Sequence, residues 1–129
     1  NKRVKWYQMI LLEDDYVPHH RDQRLIKLIS DLKRSDINII IIGTEKNRIF
    51  RLSLGITTAD QEQIIRSLDI NDYYKGPEED RDSRWGGSLY VFRKDYNGTD
   101  TYIKIKELEI IEGNEIIKCL SCHMFGMHD

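Results

Sequence analysis

The sequence predicts an α+β fold in which a small antiparallel β-sheet is covered by two or three helices. In the first half of the chain, apolar residues recur at helical spacing, whereas the second half alternates apolar and polar residues with a period of two. Two glycine-containing turns divide that second half into a three-stranded meander, and an N-terminal strand is expected to join it. With 129 residues, 40% of them hydrophobic, residues 1–129 are expected to form a single domain around one core.

Composition and charge exclude several classes of protein. The chain has only 2 Pro and 8 Gly, so it is neither collagen-like nor of low complexity. The net charge of -2 provides no general attraction for anions, so any anion binding must depend on a local cluster of cations. The longest apolar run, residues 39–42, is far too short to span a membrane.

The N-terminus and the cysteines predict a cytoplasmic protein. Residues 1–20 are a candidate N-terminal arm and not a signal peptide, because Glu13, Asp14 and Asp15 follow the basic start. In a chain without an export signal, the 2 Cys are expected to be free thiols in a reducing compartment. No membrane association is expected, and the oligomeric state stays open.

The first half of the chain begins with a helix and a strand. The spacing of the apolar residues predicts an amphipathic helix over residues 21–34. Those residues are Leu25, Leu28, Ile29 and Leu32. Residues 37–42 predict a strand that Gly43 ends, because β-branched side chains in succession pack better in a sheet than in a helix.

Two further segments complete this half. Residues 47–54 suit either a short helix that ends at Gly55 or a strand, and the sequence leaves both open. Thr58 and Gln61 have the spacing of a capping box, which predicts a helix. Its inward-facing residues would be Ile64, Ile65 and Leu68, and residues 69–74 are expected to form a short turn or one more helical turn.

The second half begins with a long segment, residues 76–87, that is expected to be irregular. A loop of that length is more often functional or mobile than idle. Beyond it, Asn97-Gly98 predicts a tight hairpin, and Glu112-Gly113-Asn114 predicts a second turn. The predicted strands are residues 89–94, 101–109 and 116–123.

Alternation along these strands predicts one apolar face and one charged face. Ile103 and Ile105 share the apolar face, whereas Tyr102, Lys104 and Lys106 share the other. The same reasoning places Cys119, Ser121 and His123 on one side of the last strand. If the pairing puts His123 beside Tyr102 and Lys104, an imidazole, a phenol and ammonium groups meet there. The alternative is an ordinary solvated sheet face.

Metal and haem sites are not expected. Cys119, Cys122 and His123 match the c-type haem pattern, and with His128 they also provide zinc-ligand chemistry. Haem attachment, however, normally needs export and a fold built around the porphyrin, and for zinc a regular strand directs Cys119 and Cys122 to opposite faces, so neither site is predicted. The acidic residues of the irregular segment are interpreted as a solvated loop, so the protein is expected to need no cofactor.

Three short motifs carry a resemblance to a known family. They are Asp72-Tyr73-Tyr74-Lys75, Tyr102-Ile103-Lys104-Ile105 and Ser121-Cys122-His123. Together with Lys46-Asn47 before residues 52–57 and with the loop that begins at Gly76-Pro77, their order and spacing over roughly residues 40–123 resemble the MqsR family of toxins from type II toxin–antitoxin systems. The resemblance implies a RelE-like fold and a metal-independent endoribonuclease that cuts mRNA. It also implies a cognate antitoxin, a kind of protein that can itself bind DNA.

The resemblance and the chemistry of RNA cleavage together predict the site residues. RNA carries its own nucleophile, the 2′-OH, so cleavage needs a proton acceptor, a proton donor and fixed positive charge. His123 is expected to act as general acid or base, Tyr102 to orient the nucleophile, and Lys75 and Lys104 to neutralise developing charge. The residues predicted to bind RNA are Arg81, Arg84, Trp85 and Tyr90.

One alternative from another class of protein stays open. Gly86 or Gly87 stands where the family has a catalytic glutamine, and the overall charge is acidic. The chain can therefore also be interpreted as a catalytically inactive protein- or RNA-binding module with the same fold.

Overall fold

A computed structural model describes residues 20–84 and 86–124, and it confirms the α+β class. Within these residues, three α-helices and a short 3₁₀ helix (Ile70–Asp72) accompany a five-stranded sheet with the order β1-β5-β4-β3-β2. The helices are α1 (His20–Leu32), α2 (Glu45–Leu54) and α3 (Thr58–Arg66). The strands are β1 (Asn38–Ile41), β2 (Tyr73–Glu79), β3 (Ser88–Tyr96), β4 (Thr99–Ile111) and β5 (Asn114–Met124). Trp85, His128 and the predicted N-terminal arm up to residue 19 lie outside the described residues.

The meander β3–β4–β5 is confirmed, but the sheet is mixed rather than fully antiparallel. The N-terminal strand β1 runs parallel to β5, whereas β2, β3, β4 and β5 pair antiparallel. A parallel pair needs a long connection, which the helices and strands between β1 and β5 provide.

The prediction that residues 76–87 are irregular is wrong for its first part. Strand β2 continues through Gly76 and Pro77 to Glu79, and only residues 80–87 form a loop. Glycine and proline look like strand breakers in the sequence. At the edge of a sheet, however, Pro77 gives up no essential hydrogen bond. Gly76 has a φ of 120°, and a Cβ there would lie 2.7 Å from the backbone oxygen of Leu89.

All three helices have the features that the sequence predicts, with two details resolved by the structure. Residues 45–54 form a helix, in which Thr44 caps the N-terminus and Gly55, with a φ of 66°, ends it. The capping box of α3 lies one residue earlier than predicted. Thr57 and Asp60 exchange its two hydrogen bonds.

The helices pack on one face of the sheet and bury a single core. Every helix contributes to this core, and so does the apolar side of β3 and of β4. Its fully buried members include Leu32, Ile65, Phe92, Ile103 and Ile105. Within the part of the chain that the structure describes, none of the helices has the length and apolar character needed to cross a bilayer.

Two tight turns and two bulges set the register of the meander. Asn97 and Gly98 both have positive φ, at 51° and 84°, as a two-residue hairpin turn requires. The pairing of β4 with β5 shifts twice, once between Lys106 and Glu109 and once at Leu120. The two shifts offset each other, so the outer ends of the strands keep the register that the turn sets.

Candidate active site

The register of the meander brings the predicted catalytic residues to one face of the sheet. Tyr102 of β4 lies opposite His123 of β5, as the sequence analysis required for a site. Lys75 of β2 pairs with Val91 of β3, which in turn pairs with Lys104. We call the face opposite the helix-packed core the charged face. It carries Lys75, Arg93, Tyr102, Lys104, Lys106 and His123.

Tyr102 and His123 form a stacked pair at the centre of the charged face. Their ring centroids lie 4.7 Å apart, and the ring planes differ by 30°. The exposed fraction is 6% for Tyr102 and 4% for His123, so both residues are largely buried. The imidazole is therefore held by the packing around it and does not move freely on the surface.

Tyr74 and Arg93 extend this pair toward the edge of the sheet. The Tyr74 ring meets Tyr102 edge-on, with centroids 6.3 Å apart. The Arg93 guanidinium lies 5.3 Å from the centroid of the Tyr74 ring and also bonds to Asp100 at 2.5 Å. Aromatic rings with a neighbouring cation form the kind of surface on which single-stranded nucleic acids stack.

Two lysines place positive charge beside the stacked pair. The nearby Tyr102 oxygen and the Glu78 carboxylate raise the pKa of Lys75, so its ammonium stays charged at neutral pH. The Nζ atom of Lys75 lies 3.5 Å from Glu78 Oε2, and about half of the side chain is exposed. Lys104 is partly exposed and forms no ion pair with any carboxylate of the described residues.

Lys106 shares this face but lies in different surroundings. Its side chain is only 4% exposed, and its Nζ atom lies 3.2 Å from Asp80 Oδ2 and 3.1 Å from Glu109 Oε2. The same atom donates a hydrogen bond to the Ser83 hydroxyl at 3.2 Å. A Cβ on Gly87 would approach the Lys106 side chain to 2.5 Å. Lys106 therefore holds the loop 80–87 against the sheet.

The predicted RNA-binding arginines lie on that loop, beside an acidic cleft. Arg81 and Arg84 are both exposed. The cleft has a volume of about 540 Å³ and is lined by Glu78, Glu79, Asp80, Arg81, Asp82, Leu89 and Lys104. Because its carboxylates outnumber its cations, the cleft itself repels a phosphate group.

Of two further residues predicted to bind RNA, one does not join the site and one lies outside the described residues. Tyr90 is fully buried in the core on the other face of the sheet, so it is not available to bind RNA in this structure. Its hydroxyl makes no hydrogen bond to the part of the chain that the structure describes, and burial raises its pKa. Trp85, the other residue, lies outside the described residues.

The cysteines lie on one face, contrary to the prediction. The bulge at Leu120 inserts an extra residue into β5, so Cys119 turns toward the helices together with Cys122. Their sulfur atoms lie 3.6 Å apart, and both thiols are free and buried. The adjacent Cys122 thiol and burial raise the pKa of Cys119, which keeps it protonated and unreactive.

Alternation had predicted that Cys119 shares a face with Ser121 and His123. Because of the same bulge, Cys119 lies on the opposite face. The described residues contain no group of three metal-ligating side chains. His128, which the rejected zinc site would have used, lies outside the described residues.

Two pairs of residues near the site were not predicted as functional from the sequence, Arg93 with Tyr74 and Asn47 with Gln61. Arg93 could have been found, because a two-residue turn at Asn97-Gly98 fixes its position opposite Tyr102. Tyr74 was noted only as part of a motif. The buried amides of Asn47 and Gln61 bond to each other, and Asn47 also bonds to β5; no sequence pattern predicted these bonds.

Comparison with known proteins does not identify a family. No protein-family model matches the chain, and no curated protein matches its sequence. The resemblance to the MqsR toxins therefore stays a prediction based on the three motifs.

Proposed function

We propose that the protein is a metal-independent endoribonuclease that cuts mRNA in the cytoplasm and acts as a toxin that a cognate antitoxin neutralises. The observation that carries this proposal is the stacked pair of Tyr102 and His123 with the Lys75 ammonium beside it. RNA cleavage by its own 2′-OH requires proton transfer and fixed positive charge, which an imidazole and an ammonium group can provide.

In the proposed reaction, the 2′ oxygen attacks the adjacent phosphorus and the bond from phosphorus to the 5′ oxygen breaks. The products are a 2′,3′-cyclic phosphate and a 5′-hydroxyl. His123 acts as the base that accepts the 2′ proton or as the acid that protonates the leaving oxygen, and water makes the other of these two proton transfers. Lys75 and Lys104 stabilise the extra negative charge of the transition state, and Tyr102 orients the nucleophile.

The arrangement of charge supports binding of RNA at one end of the charged face. Lys75 and Arg93 lie around the stacked rings, whereas carboxylates dominate the cleft beside the loop 80–87, which Lys104 also lines. We expect the scissile phosphate to lie against the lysines and a neighbouring base to stack on the exposed ring of Tyr74, which is 44% exposed.

A second candidate is a binding module without catalysis, and the burial of His123 favours it. An imidazole that is 4% exposed can serve to support the ring of Tyr102 instead of transferring protons. In that case, the charged face would bind RNA or a partner protein and leave it intact.

The test is cleavage of a long transcript in excess EDTA, with and without ribosomes, followed by mapping of the fragment ends. We expect 5′-hydroxyl and 2′,3′-cyclic phosphate ends from the wild-type protein. The His123→Gln and His123→Phe variants should lower the rate by about 10²–10⁴-fold, the usual contribution of a general acid or base. His123→Phe is the sharper variant, because its ring can still stack on Tyr102 but cannot transfer a proton.

The control variant is Lys27→Gln, which changes an exposed lysine of α1 and should leave the rate unchanged. Full activity of His123→Phe would show that the site is assigned incorrectly. Absence of cleavage by folded wild-type protein, combined with RNA binding, would favour the binding module.

A further inference from the structure

The outer side of β5 has a strand as its neighbour for only part of its length. Strand β1 pairs with residues 116–119 of β5, and Ile42 then donates one more hydrogen bond to the Cys119 oxygen at 3.0 Å. Strand β5 itself continues to Met124. Its buried backbone groups beyond Cys119 need other partners, because an unpaired buried N–H or C=O group is costly.

Asn47 provides those partners. Its Nδ2 atom donates to the Ile42 oxygen at 2.7 Å and to the Leu120 oxygen at 3.3 Å. Its Oδ1 atom accepts from the Cys122 N–H at 2.8 Å and from Gln61 at 3.0 Å. The residue is fully buried, so its amide uses every hydrogen bond that it can make within the protein.

Two further residues fix which way the amide points. Gln61 is also fully buried, and its Nε2 atom donates to Asn47 Oδ1. The Oε1 atom of Gln61 accepts from Arg51 at 2.7 Å. A reversed Asn47 amide would place donors against the Gln61 and Cys122 donors. The chain from Arg51 to Asn47 therefore allows only one orientation.

The segment of β5 to which Asn47 bonds contains the bulge and lies directly before His123. Leu120 is the extra residue of the bulge, and Cys122 directly precedes His123. If β5 slipped by one residue here, the imidazole would turn to the other face of the sheet. The bonds to Leu120 and Cys122 oppose such a slip.

We infer that Asn47 is a positioning residue, which holds the end of β5 so that His123 stacks on Tyr102. As a positioning residue for catalysis, it rests on the function proposed above. Asn47 belongs to α2 and acts on the imidazole only through the backbone of β5. Its expected contribution is therefore geometric, and a displacement of about 1 Å at a reacting group can lower a rate about 10²-fold.

The experiment compares Asn47→Leu with the wild-type protein by two independent measurements. The first is an NMR measurement of contacts between the Tyr102 and His123 rings and of the pH titration of His123, which needs no RNA. The second is the kcat and KM of transcript cleavage. We expect weaker ring contacts, a shifted titration and a kcat that falls about 10²-fold with a much smaller change in KM.

Two further variants separate positioning from general stability. Leu28→Ala removes a buried side chain from α1 and is expected to lower stability without changing the ring contacts. Gln61→Met leaves the bonds of Asn47 to β5 in place but removes the group that orients the amide. It should give a smaller change in the same direction, and it takes the place of Asn47→Leu if that variant does not fold.

The outcomes can be told apart. Unchanged ring contacts and titration in folded Asn47→Leu, or in Gln61→Met where that variant replaces it, would overturn the inference. The inference would also be overturned if Leu28→Ala lost as much kcat as Asn47→Leu while losing the same amount of stability. If the wild-type protein cleaves no RNA, the proposed function fails, and the ring contacts alone then decide whether Asn47 positions His123.

Discussion

Lys104 and Lys106 lie two residues apart on β4 and share the charged face, yet the structure places them in different surroundings. Lys106 is 4% exposed and bonds to the carboxylates of Asp80 and Glu109. Lys104 is partly exposed and has no ion pair with the described carboxylates. Alternation in the sequence predicts the same face for both lysines and therefore cannot tell their roles apart.

The difference divides the charged face into two ends. At the Lys106 end, the lysine charge is neutralised and is used to hold the loop 80–87 on the sheet. At the other end, Lys75 lies beside the stacked rings of Tyr102 and His123 with Glu78 as its ion-pair partner, and Lys104, which also lines the acidic cleft, has no ion pair with a described carboxylate. Only the second end has the charge that a phosphate needs. We therefore expect variants at the two ends to differ in kind, with losses of stability at one and losses of RNA cleavage at the other.

The largest difference should appear when each lysine is replaced by methionine. Lys106→Met leaves the buried carboxylate of Asp80 without its ion-pair partner, whereas Glu109 keeps Lys118, so unfolding free energy should fall by about 3–5 kcal/mol. Lys104→Met breaks no ion pair with a described residue and should change it by less than about 0.5 kcal/mol. Urea unfolding measures both values. Equal effects would mean that the two ends do not differ as described.

The pH dependence of stability sharpens the same comparison. Burial lowers the pKa of Lys106, but Glu109 and Asp80 outweigh it and leave the pKa raised overall. When the pKa of a lysine is higher in the folded protein than in the unfolded chain, its charged form stabilises the fold. This stabilisation is fully present below the unfolded-state pKa of about 10.4 and is lost as the pH rises through the folded-state pKa. Wild-type protein and Lys104→Met should therefore lose stability in alkaline urea titrations. Lys106→Met should show a smaller loss, and an equal loss would contradict the assignment.

At the other end, Lys75→Gln should affect cleavage and leave stability nearly unchanged. Its ammonium is half exposed, so we expect the rate of RNA cleavage to fall about 10- to 10²-fold, at the lower side of what a charge-stabilising group contributes. Single-turnover kinetics with a short RNA measure this effect. A stability loss as large as that of Lys106→Met would instead indicate a structural role for Lys75.

Lys104→Gln should have a smaller effect, on RNA binding. If Lys104 contacts one phosphate, its removal should lower the slope of log affinity against log salt concentration by about 0.7, the single-strand value for one contact. Binding of a 2′-O-methyl RNA, which cannot be cut by its own 2′-OH, measures this slope at several salt concentrations. Replacing the neutralised Lys106 by glutamine should leave the slope unchanged as long as the variant is folded.

The smallest effect is expected for Tyr90→Phe on the helix-packed face. The buried hydroxyl has no hydrogen bond to the described part of the chain, so its removal should raise unfolding free energy by about 1 kcal/mol or leave it unchanged. RNA affinity should stay the same, because Tyr90 lies away from the charged face. A loss of affinity would restore the RNA-binding role that the sequence predicted for Tyr90.

Much of the fold could be predicted because its signals are local. The apolar spacing in α1, the β-branched run in β1 and the tight turn at Asn97-Gly98 each depend on neighbouring residues. Strand β2 could not be predicted in the same way. Gly76 and Pro77 suit a strand only because that strand lies at the edge of the sheet, which the local sequence does not reveal.

The candidate site was predicted in part for the same reason. Tyr102, Lys104 and His123 follow from alternation and from the register that two tight turns set. The placement of Cys119 was wrong, because alternation assumes a strand without a bulge. Tyr90 was assigned to RNA binding, although its own alternation with Val91 already separates it from the face of Tyr102.

The sequence by itself determined the order of the elements and the hairpin register, because these depend on backbone preferences over a few residues. The pairing of Tyr102 with His123 also needed the two register shifts between β4 and β5 to offset each other. Tertiary structure decided the roles of the polar side chains. Lys106 is neutralised by Asp80 on a distant loop, and the end of β5 is bonded by Asn47, which is 75 residues away from Cys122. Burial and charge pairing depend on which distant groups the fold brings together, and no local pattern encodes that.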